Sequence, residues 1–548
     1  MPKRRARIAL ILSIETAVMS ALLAAQPAQA QGAQAAVADP RIRVESFRIS
    51  GNTLLPEVVL QNALAPFKGE RTLSELKAAA AAVQAVYVEQ GYGGVIAYVP
   101  PQQQGANGEA TIEVLEGRIA HVTVTGNARD SAAQVRRSLP KLQEGQTPRP
   151  AQLDAQVGLA NQYPGRQLAV TLEPGAARGE IDARIGVTEQ PLSRWSVSAD
   201  NTGTTQTGRM RASLGWQGAN VAGLDDTLSL QAQIAPQHPS RVAVFTAGWH
   251  APIYSAGLAF DLLAAYSVVD GGTTSTVAGP LQFAGKGEVF GARLSGALPR
   301  LGDFTQTLSA GVDHRVYLND CSITGLPAGA CGSSGASVAV TPLMLEYQLQ
   351  APSEGMRPAL ALSVSLVGNL DPGGSHGAPE DFSAVRPGAP HSYQLIRVNG
   401  MAQFTLPAGW QLMLRGAGQG TGDALVPGEQ FGLGGANAVR GYEEREITGD
   451  QAVFGTTELY GPDMAKMTGD KLDHLRLLGF VDGGRAWNKL GTACLGTQTR
   501  CTLASFGFGA RLMAGGFQLK MDLARTLKNG TLTERHDTFL HVQASYDF

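Results

Sequence analysis

The stretch Leu540-His541-Val542-Gln543-Ala544-Ser545-Tyr546-Asp547-Phe548 decides the fold. Side chains of an extended chain alternate between two faces. Leu540, Val542, Ala544, Tyr546 and Phe548 therefore share one face, and His541, Gln543, Ser545 and Asp547 share the other. On a soluble sheet, an exposed terminal Phe beside an exposed Tyr would be a sticky liability. The same residues suit a wall whose apolar face meets lipid and whose polar face meets a wet interior.

The pattern continues upstream. Phe517, Leu519, Met521 and Leu523 alternate with Gln518, Lys520 and Asp522; Leu228, Leu230, Ala232 and Ile234 alternate with Ser229, Gln231 and Gln233; and Trp195, Val197 and Ala199 alternate with Ser196, Ser198 and Asp200. Helix signals largely disappear after Pro191. A soluble antiparallel sandwich also alternates, so length is the second criterion. A membrane-crossing strand needs roughly ten residues, and many of these runs approach that. Residues 191–548 accommodate about sixteen such strands with short turns and longer loops. No stretch beyond the N-terminal segment offers the roughly 18 apolar residues of a spanning helix. A chain that crosses a membrane without such helices must close its strands into a barrel. The expected class is mainly β, with a transmembrane barrel of about 16 antiparallel strands over 191–548.

At the other end, Lys3, Arg4, Arg5 and Arg7 precede an apolar run from Ile8 to Ala25, and Ala28-Gln29-Ala30 follows as a small-x-small pattern. Residues 1–30 read as a secretory signal peptide, followed by a short leader over 31–41. Removing that segment takes the net charge from −2 to −5, which is no nucleic-acid footprint. The four cysteines form two close pairs in short loops rich in Gly, Ser or Thr. In an oxidising compartment these read as local disulfides, Cys321–Cys331 and Cys494–Cys501; a metal site is the alternative, but no His lies near either pair.

Between the leader and the barrel an order repeats. Val44 to Asn52 alternates and ends in Gly51-Asn52, reading as a strand and turn. Thr72-x-x-Glu75 is a capping box, and Leu76, Ala80, Val83 and Tyr87 recur at helical spacing before Gly91. Two strands follow. Ile119 to Asn127 then mirrors the first strand and its Gly-Asn turn, with two helical stretches and two strands behind it. This β-α-α-β-β unit, with Gly91-Tyr92 after the long helix and Leu115-Glu116-Gly117 leading into the next, resembles the polypeptide-transport-associated (POTRA) domain. The expected boundaries are 42–117 and 118–190. The resemblance implies periplasmic modules that hold incoming chain partly as an added strand.

One loop stands out: Glu429-Gln430-Phe431-Gly432-Leu433-Gly434-Gly435-Ala436-Asn437-Ala438-Val439-Arg440-Gly441-Tyr442-Glu443-Glu444. It is Gly-rich, yet carries a lone Arg between aromatics. Some forty residues on, Phe480-Val481-Asp482-Gly483-Gly484 lies in a strand whose apolar face is Leu475, Leu477, Gly479 and Val481, which turns Phe480 and Asp482 inward. Two modules before a barrel resemble the outer-membrane transporters of two-partner secretion, the haemolysin secretion/activation family of the Omp85 superfamily. Val439-Arg440-Gly441-Tyr442 matches the superfamily's loop signature, and Phe480, Asp482 and Gly484 match its strand motif.

The resemblance implies several things. The loop, about 428–446, folds into the barrel lumen and Arg440 pairs with Asp482. Tyr546 and Phe548 form an outer-membrane recognition signal read by the barrel assembly machinery. The chain is a monomer surrounded by outer-membrane lipid and lipopolysaccharide, exporting a large β-helical secretory partner in unfolded form. Relatives can carry a plug helix before the first module; the dozen residues available here are too few for a barrel-length helix at ~1.5 Å per residue, so none is expected. No phosphate loop, no His-Glu-x-x-His and no nucleophile elbow is present, so no catalytic residue, cofactor or metal is assigned. The rival reading is a factor that assembles other barrels, which carries three or five modules rather than two. A passive porin would need neither modules nor paired motifs.

Overall fold

The computed structural model describes residues 41–548 except 103–107, 206, 240–241, 269–271, 277–278, 284–285, 319–332, 334–335, 354–356, 371–372 and 470. The signal segment, the leader up to residue 40, any plug helix and the Cys321–Cys331 pair lie outside the described residues.

The first module is a three-stranded sheet carrying helices. Ser46–Ser50 runs parallel to Glu109–Glu116, which is antiparallel to Val95–Tyr98. Helix Leu73–Glu89 starts at Thr72 with its capping box formed: Thr72 N–H donates to Glu75 at 2.7 Å, and Glu75 N–H donates to the Thr72 hydroxyl at 3.3 Å. The helix buries Leu76, Ala79, Ala80, Val83 and Tyr87. A small extra pairing of Ile42–Val44 with Gly69–Arg71 escaped the sequence reading, because three-residue strands are too short to show a period.

The Gly-Asn turn has a specific physical role. Gly51 adopts φ +84°, and a Cβ there would sit 2.2 Å from the Val114 carbonyl oxygen. The Glu116 carboxylate then accepts from Thr53 N–H (2.7 Å), Leu54 N–H (2.9 Å) and the Tyr87 hydroxyl (2.9 Å). Burial works against its charge, but these donors and the Thr53 hydroxyl outweigh burial and hold the carboxyl below its usual range.

The same construction recurs in residues 118–189. Arg118–Thr125 is parallel to Glu180–Glu189, which pairs antiparallel with Arg166–Pro174. Helices Ala132–Arg137 and Pro150–Ala160 cover the sheet. Gly126 adopts φ +82°, with Val187 oxygen 2.3 Å from a would-be Cβ. Glu189 accepts from the backbone N–H groups of Ala128 (3.0 Å), Arg129 (2.7 Å) and Asp130 (2.9 Å). A carboxylate ending the last strand caps the turn after the first strand in both modules.

Among the described residues, sixteen strands from Ser193–Asp200 to Thr538–Asp547 close into one antiparallel barrel. The last strand returns to the first, with Gln543–Asp547 against Ser196–Asp200, and Trp195 and Phe548 exchange two backbone hydrogen bonds of 2.9 Å. Outward positions are apolar and bare: Phe508 is 70% exposed, while inward Asp482 is 1% exposed. The first strand follows directly on the second module, so residues 193 and 548 mark the near end. The loops 373–393, 422–450, 488–499 and 527–537 lie at the far end.

The second module is fastened to the near end. Arg166, fully buried, donates to Asp225 in the turn after the second barrel strand at 2.5 and 3.2 Å, and to Asp130 at 2.9 Å. Tyr254, in the next near-end turn, donates to Asp225 at 3.0 Å, and Gln134 does so at 2.9 Å. Burial opposes the Asp225 charge, yet the Arg166 and Gln134 hydrogen bonds hold its carboxyl below the usual range.

Candidate functional site: a loop tethered inside the barrel

The chain from Gly422 to Asp450 leaves one barrel strand, turns back and rejoins the next. At its base, Phe431–Leu433 pairs with Ile447–Gly449 in a short hairpin. Gly434 (φ +97°) and Gly435 (φ +106°) let the chain reverse beyond it; a Cβ on Gly434 would meet the Glu443 carbonyl oxygen at 2.6 Å. Such angles and approaches are open to glycine alone at low cost.

At the tip, Arg440 is 1% exposed and faces carboxylates from three wall strands. Its guanidinium forks onto Asp482, Nε to Oδ2 and Nη2 to Oδ1, both at 2.8 Å, and the Arg440 backbone N–H adds a third bond at 3.0 Å. Nη1 donates to Glu458 at 2.6 Å and lies 3.6 Å from Asp522. The Phe480 ring lies under the guanidinium, 3.5 Å from its centroid to the central carbon, a cation–π contact that shields one face. A planar fork matched to a carboxylate fixes direction as well as distance, which lysine could not do.

The neighbouring motif residues make the tip fit. Gly441 (φ +92°) passes so close to the wall that a Cβ would meet Thr526 and Ala524 at 3.2–3.3 Å. Its N–H donates to Nε2 of His541 at 2.9 Å. The Tyr442 hydroxyl donates to the Lys528 carbonyl at 2.8 Å and accepts from Ala504 N–H at 3.4 Å. Val439 and Tyr442 are fully buried in a cluster with Leu433, Ile447, Ala486 and Leu503. Gly484 leaves room for that cluster; a Cβ there would meet the Leu433 side chain at 2.9 Å. Thus the structure brings Val439, Arg440, Gly441 and Tyr442 together with Phe480, Asp482 and Gly484. Tyr546 and Phe548 stack at the near end of the closing strand, with ring centroids 5.8 Å apart, away from this site. Cys494 and Cys501 are joined in a disulfide that pins the far-end loop 488–499.

Several participants were not singled out in the sequence. Glu458 and Asp522 complete the arginine's cage, and His541 meets Gly441. The alternation already put Asp522 and His541 on the inward face, so their orientation was legible while their common partner was not. Glu429, at the loop's start, accepts from Arg315 (2.9 Å), Arg397 (3.3 Å) and Tyr317 (2.9 Å). Glu446, at its end, accepts from Leu532 and Thr533 N–H, both at 2.8 Å. Asp450 gathers three far-end loops, accepting from Arg386 (2.9 Å), Leu425 N–H (2.9 Å) and Lys489 N–H (2.7 Å). Cavities flank the tip on both sides, each bordered by Asn437 and Glu444. Their linings mix neutral polar residues, such as Gln348, Ser363 and Asn399 on one side and Ser196, Ser213 and Gln233 on the other, with charged ones, such as Glu346 and Arg415 on the first and Asp200 and Lys520 on the second. The arrangement is a barrel lumen with a loop held across it.

Residues 179–512 match the family model described as "Haemolysin secretion/activation protein ShlB/FhaC/HecB", and residues 42–117 match "POTRA domain, ShlB-type". A search among curated proteins found no match. Among solved structures, CdiB from Escherichia coli is similar at 19% identity and TM-score 0.75, over 98% of this chain and 97% of that one. CdiB from Acinetobacter baumannii is similar at 17% identity and TM-score 0.70, again over 98% and 97%. BamA from Haemophilus ducreyi, lacking POTRA domains 1–3, is similar at 15% identity and TM-score 0.50, over 92% and 100%. At such identities the structural likeness shows a shared fold.

Proposed function

The chain belongs to the haemolysin secretion/activation protein family, the outer-membrane transporters of two-partner secretion, and from that premise we propose that it exports one large secretory partner in unfolded form through its lumen. The barrel sits in the Gram-negative outer membrane with its N-terminal modules in the periplasm. The observation that carries the proposal is the lumen loop held by one arginine to carboxylates of three strands. A loop so fastened closes the conduit at rest and has a defined bond set to break when the partner passes.

In this reading the modules receive the partner. Each has a three-stranded sheet with edges at Ser46–Ser50 and Val95–Tyr98, or Arg118–Thr125 and Arg166–Pro174, and an unpaired edge accepts an extended peptide as an additional strand. Tyr546 and Phe548 act as the recognition signal for the assembly machinery, and the transporter works as a monomer on a β-helical partner. Folding of the partner outside supplies the pull, since the periplasm and outer membrane offer no nucleotide.

The test compares culture supernatants of cells with and without this gene. Loss of one large secreted protein, restored by the wild-type chain, is expected. Unchanged supernatants together with depleted outer-membrane barrels would favour the rival reading of an assembly factor. Deleting Glu429–Glu444 should enlarge single-channel conductance; an unchanged pore would contradict a closing loop.

A further inference from the structure

Five adjacent barrel strands, from Gln451–Tyr460 to Thr538–Asp547, present outward faces of Leu, Val, Phe, Met and other uncharged residues, with three exceptions. Arg485, Arg500 and Arg525 stand on three consecutive strands, His474–Trp487, Arg500–Ala514 and Phe517–Thr526. All three lie toward the far end, and all are exposed. Register fixes their side of the wall. Arg485 is opposite Thr502, Arg500 is opposite Trp487, and Arg525 is opposite Phe506 and Thr538. On its own strand Arg485 is four residues from outward Val481, Arg500 eight from outward Phe508 and Arg525 two from outward Leu523, all even spacings and so the same face. Arg485 and Arg500 are diagonal neighbours across one strand pair, which places their Cβ atoms roughly 7–8 Å apart.

No Asp or Glu occupies an outward position on these five strands, and none of the three guanidiniums has a hydrogen-bond or ion-pair partner among the described residues. Inward arginines of the same strands behave otherwise: Arg511 meets Asp522 at 2.8 Å. An arginine on the lipid face is unfavourable unless its long stem carries the charge up to the headgroup layer. Arg485 and Arg500, with no acid between them, repel each other unless an anion bridges them. Arg525, opposite Phe506, stands six residues along the same face from Arg500, roughly 20 Å at ~3.3 Å per residue, so a ligand meeting all three must be large and carry more than one anionic group.

We propose that Arg485, Arg500 and Arg525 form a binding site on the outer wall for the phosphate-bearing headgroup of the saccharolipid in the outer leaflet, lipid A. The site commits to a lipid because its surroundings are apolar: the acyl chains lie along Leu523, Phe506 and Phe508 while the phosphates meet the arginines. Planar guanidiniums suit phosphate oxygens. The site lies on the wall that bears Asp482 and Asp522 on its inner side, so a bound lipid would brace the strands holding Arg440. The inference rests on the outer-membrane location and not on the export reading, so the two fail separately.

The experiment uses the purified full-length protein in lipid nanodiscs, with native mass spectrometry and thermal melting as readouts and bis-phosphorylated lipid A as the probe. A basic residue near an anionic surface is worth about a fivefold change in affinity, so R485Q/R500Q/R525Q should weaken lipid A binding on the order of 100-fold. Lipid A stripped of phosphate should bind the wild type as weakly as lipid A binds the variant, and phosphatidylglycerol should not displace bound lipid A. Should the triple variant assemble poorly, Arg485→Gln alone should show about a fivefold loss. Undiminished binding by the variants, equal binding of dephosphorylated lipid A, or equal binding of phosphatidylglycerol would each overturn the proposal.

Discussion

Replacing Arg440 by alanine is the most direct probe of the tether. The change removes a bidentate bond to Asp482, a 2.6 Å bond to Glu458 and the 3.6 Å approach to Asp522. The three carboxylates are not left equally exposed to the loss. Asp522 keeps Arg511 at 2.8 Å and Glu458 keeps the Tyr460 hydroxyl at 2.7 Å. Among the described residues Asp482 keeps only the backbone N–H at position 440, and it is 1% exposed. Stranding one member of a buried pair costs about 3–5 kcal/mol, and access of lumen water places this site at the lower end. A loss of about 3 kcal/mol shifts the balance between seated and unseated tip by about 150-fold. The wall itself loses no ladder hydrogen bond, so heat-modifiability on gels should stay normal. Pore conductance should rise and secretion should fall sharply. Asp482→Asn, which keeps the shape and loses the charge, should give an intermediate phenotype. R440A/D482A should be no worse than R440A, because both break one coupled unit. Wild-type conductance and secretion in R440A at normal expression would refute the tether.

Further outcomes follow from other parts of the molecule. Asp450→Ala should loosen the far-end loops that converge on it and raise conductance while leaving secretion less affected than R440A; conductance unchanged from wild type would count against a second closure. Asp225→Ala strands the buried Arg166 and should expose the segment near residue 190 to protease, with a cost of about 3–5 kcal/mol at the module's attachment. Because the Asp225 carboxyl is depressed in the folded state, its contribution is intact above the ordinary aspartate range near pH 4 and fades as pH falls through the lower folded value. Protease sensitivity should thus appear in the wild type only in acid, and be present at neutral pH in the variant. Gly126→Ala forces both a positive φ and a 2.3 Å approach to Val187 oxygen, so it should destabilise by more than the ~1 kcal/mol that the same change gains where the backbone suits alanine. A melting temperature equal to wild type would show that the turn relaxes.

The wall was legible in the sequence because period-two alternation is imposed by local backbone geometry and persists through every strand. The closing stretch Leu540–Phe548 carried it to the last residue. The capping box at Thr72 and Glu75 and the Gly-Asn turns were equally local, each a short-range bond pattern that residue types alone announce. The inward placement of Asp482 also came from alternation, and its link to Arg440 came from a family resemblance rather than from spacing.

Tertiary structure decided the rest. Glu458, Asp522 and His541 come from three strands scattered over more than eighty residues, and only closure of the barrel brings them to one arginine. Glu116 and Glu189 looked like ordinary strand ends until the parallel pairing laid them against the turns they cap. Arg166 and Asp225, fifty-nine residues apart, meet because the second module docks on a barrel turn that its own sequence does not encode. A strand fixes which way a side chain points; which partner it finds there depends on shear and closure, and those are properties of the whole sheet.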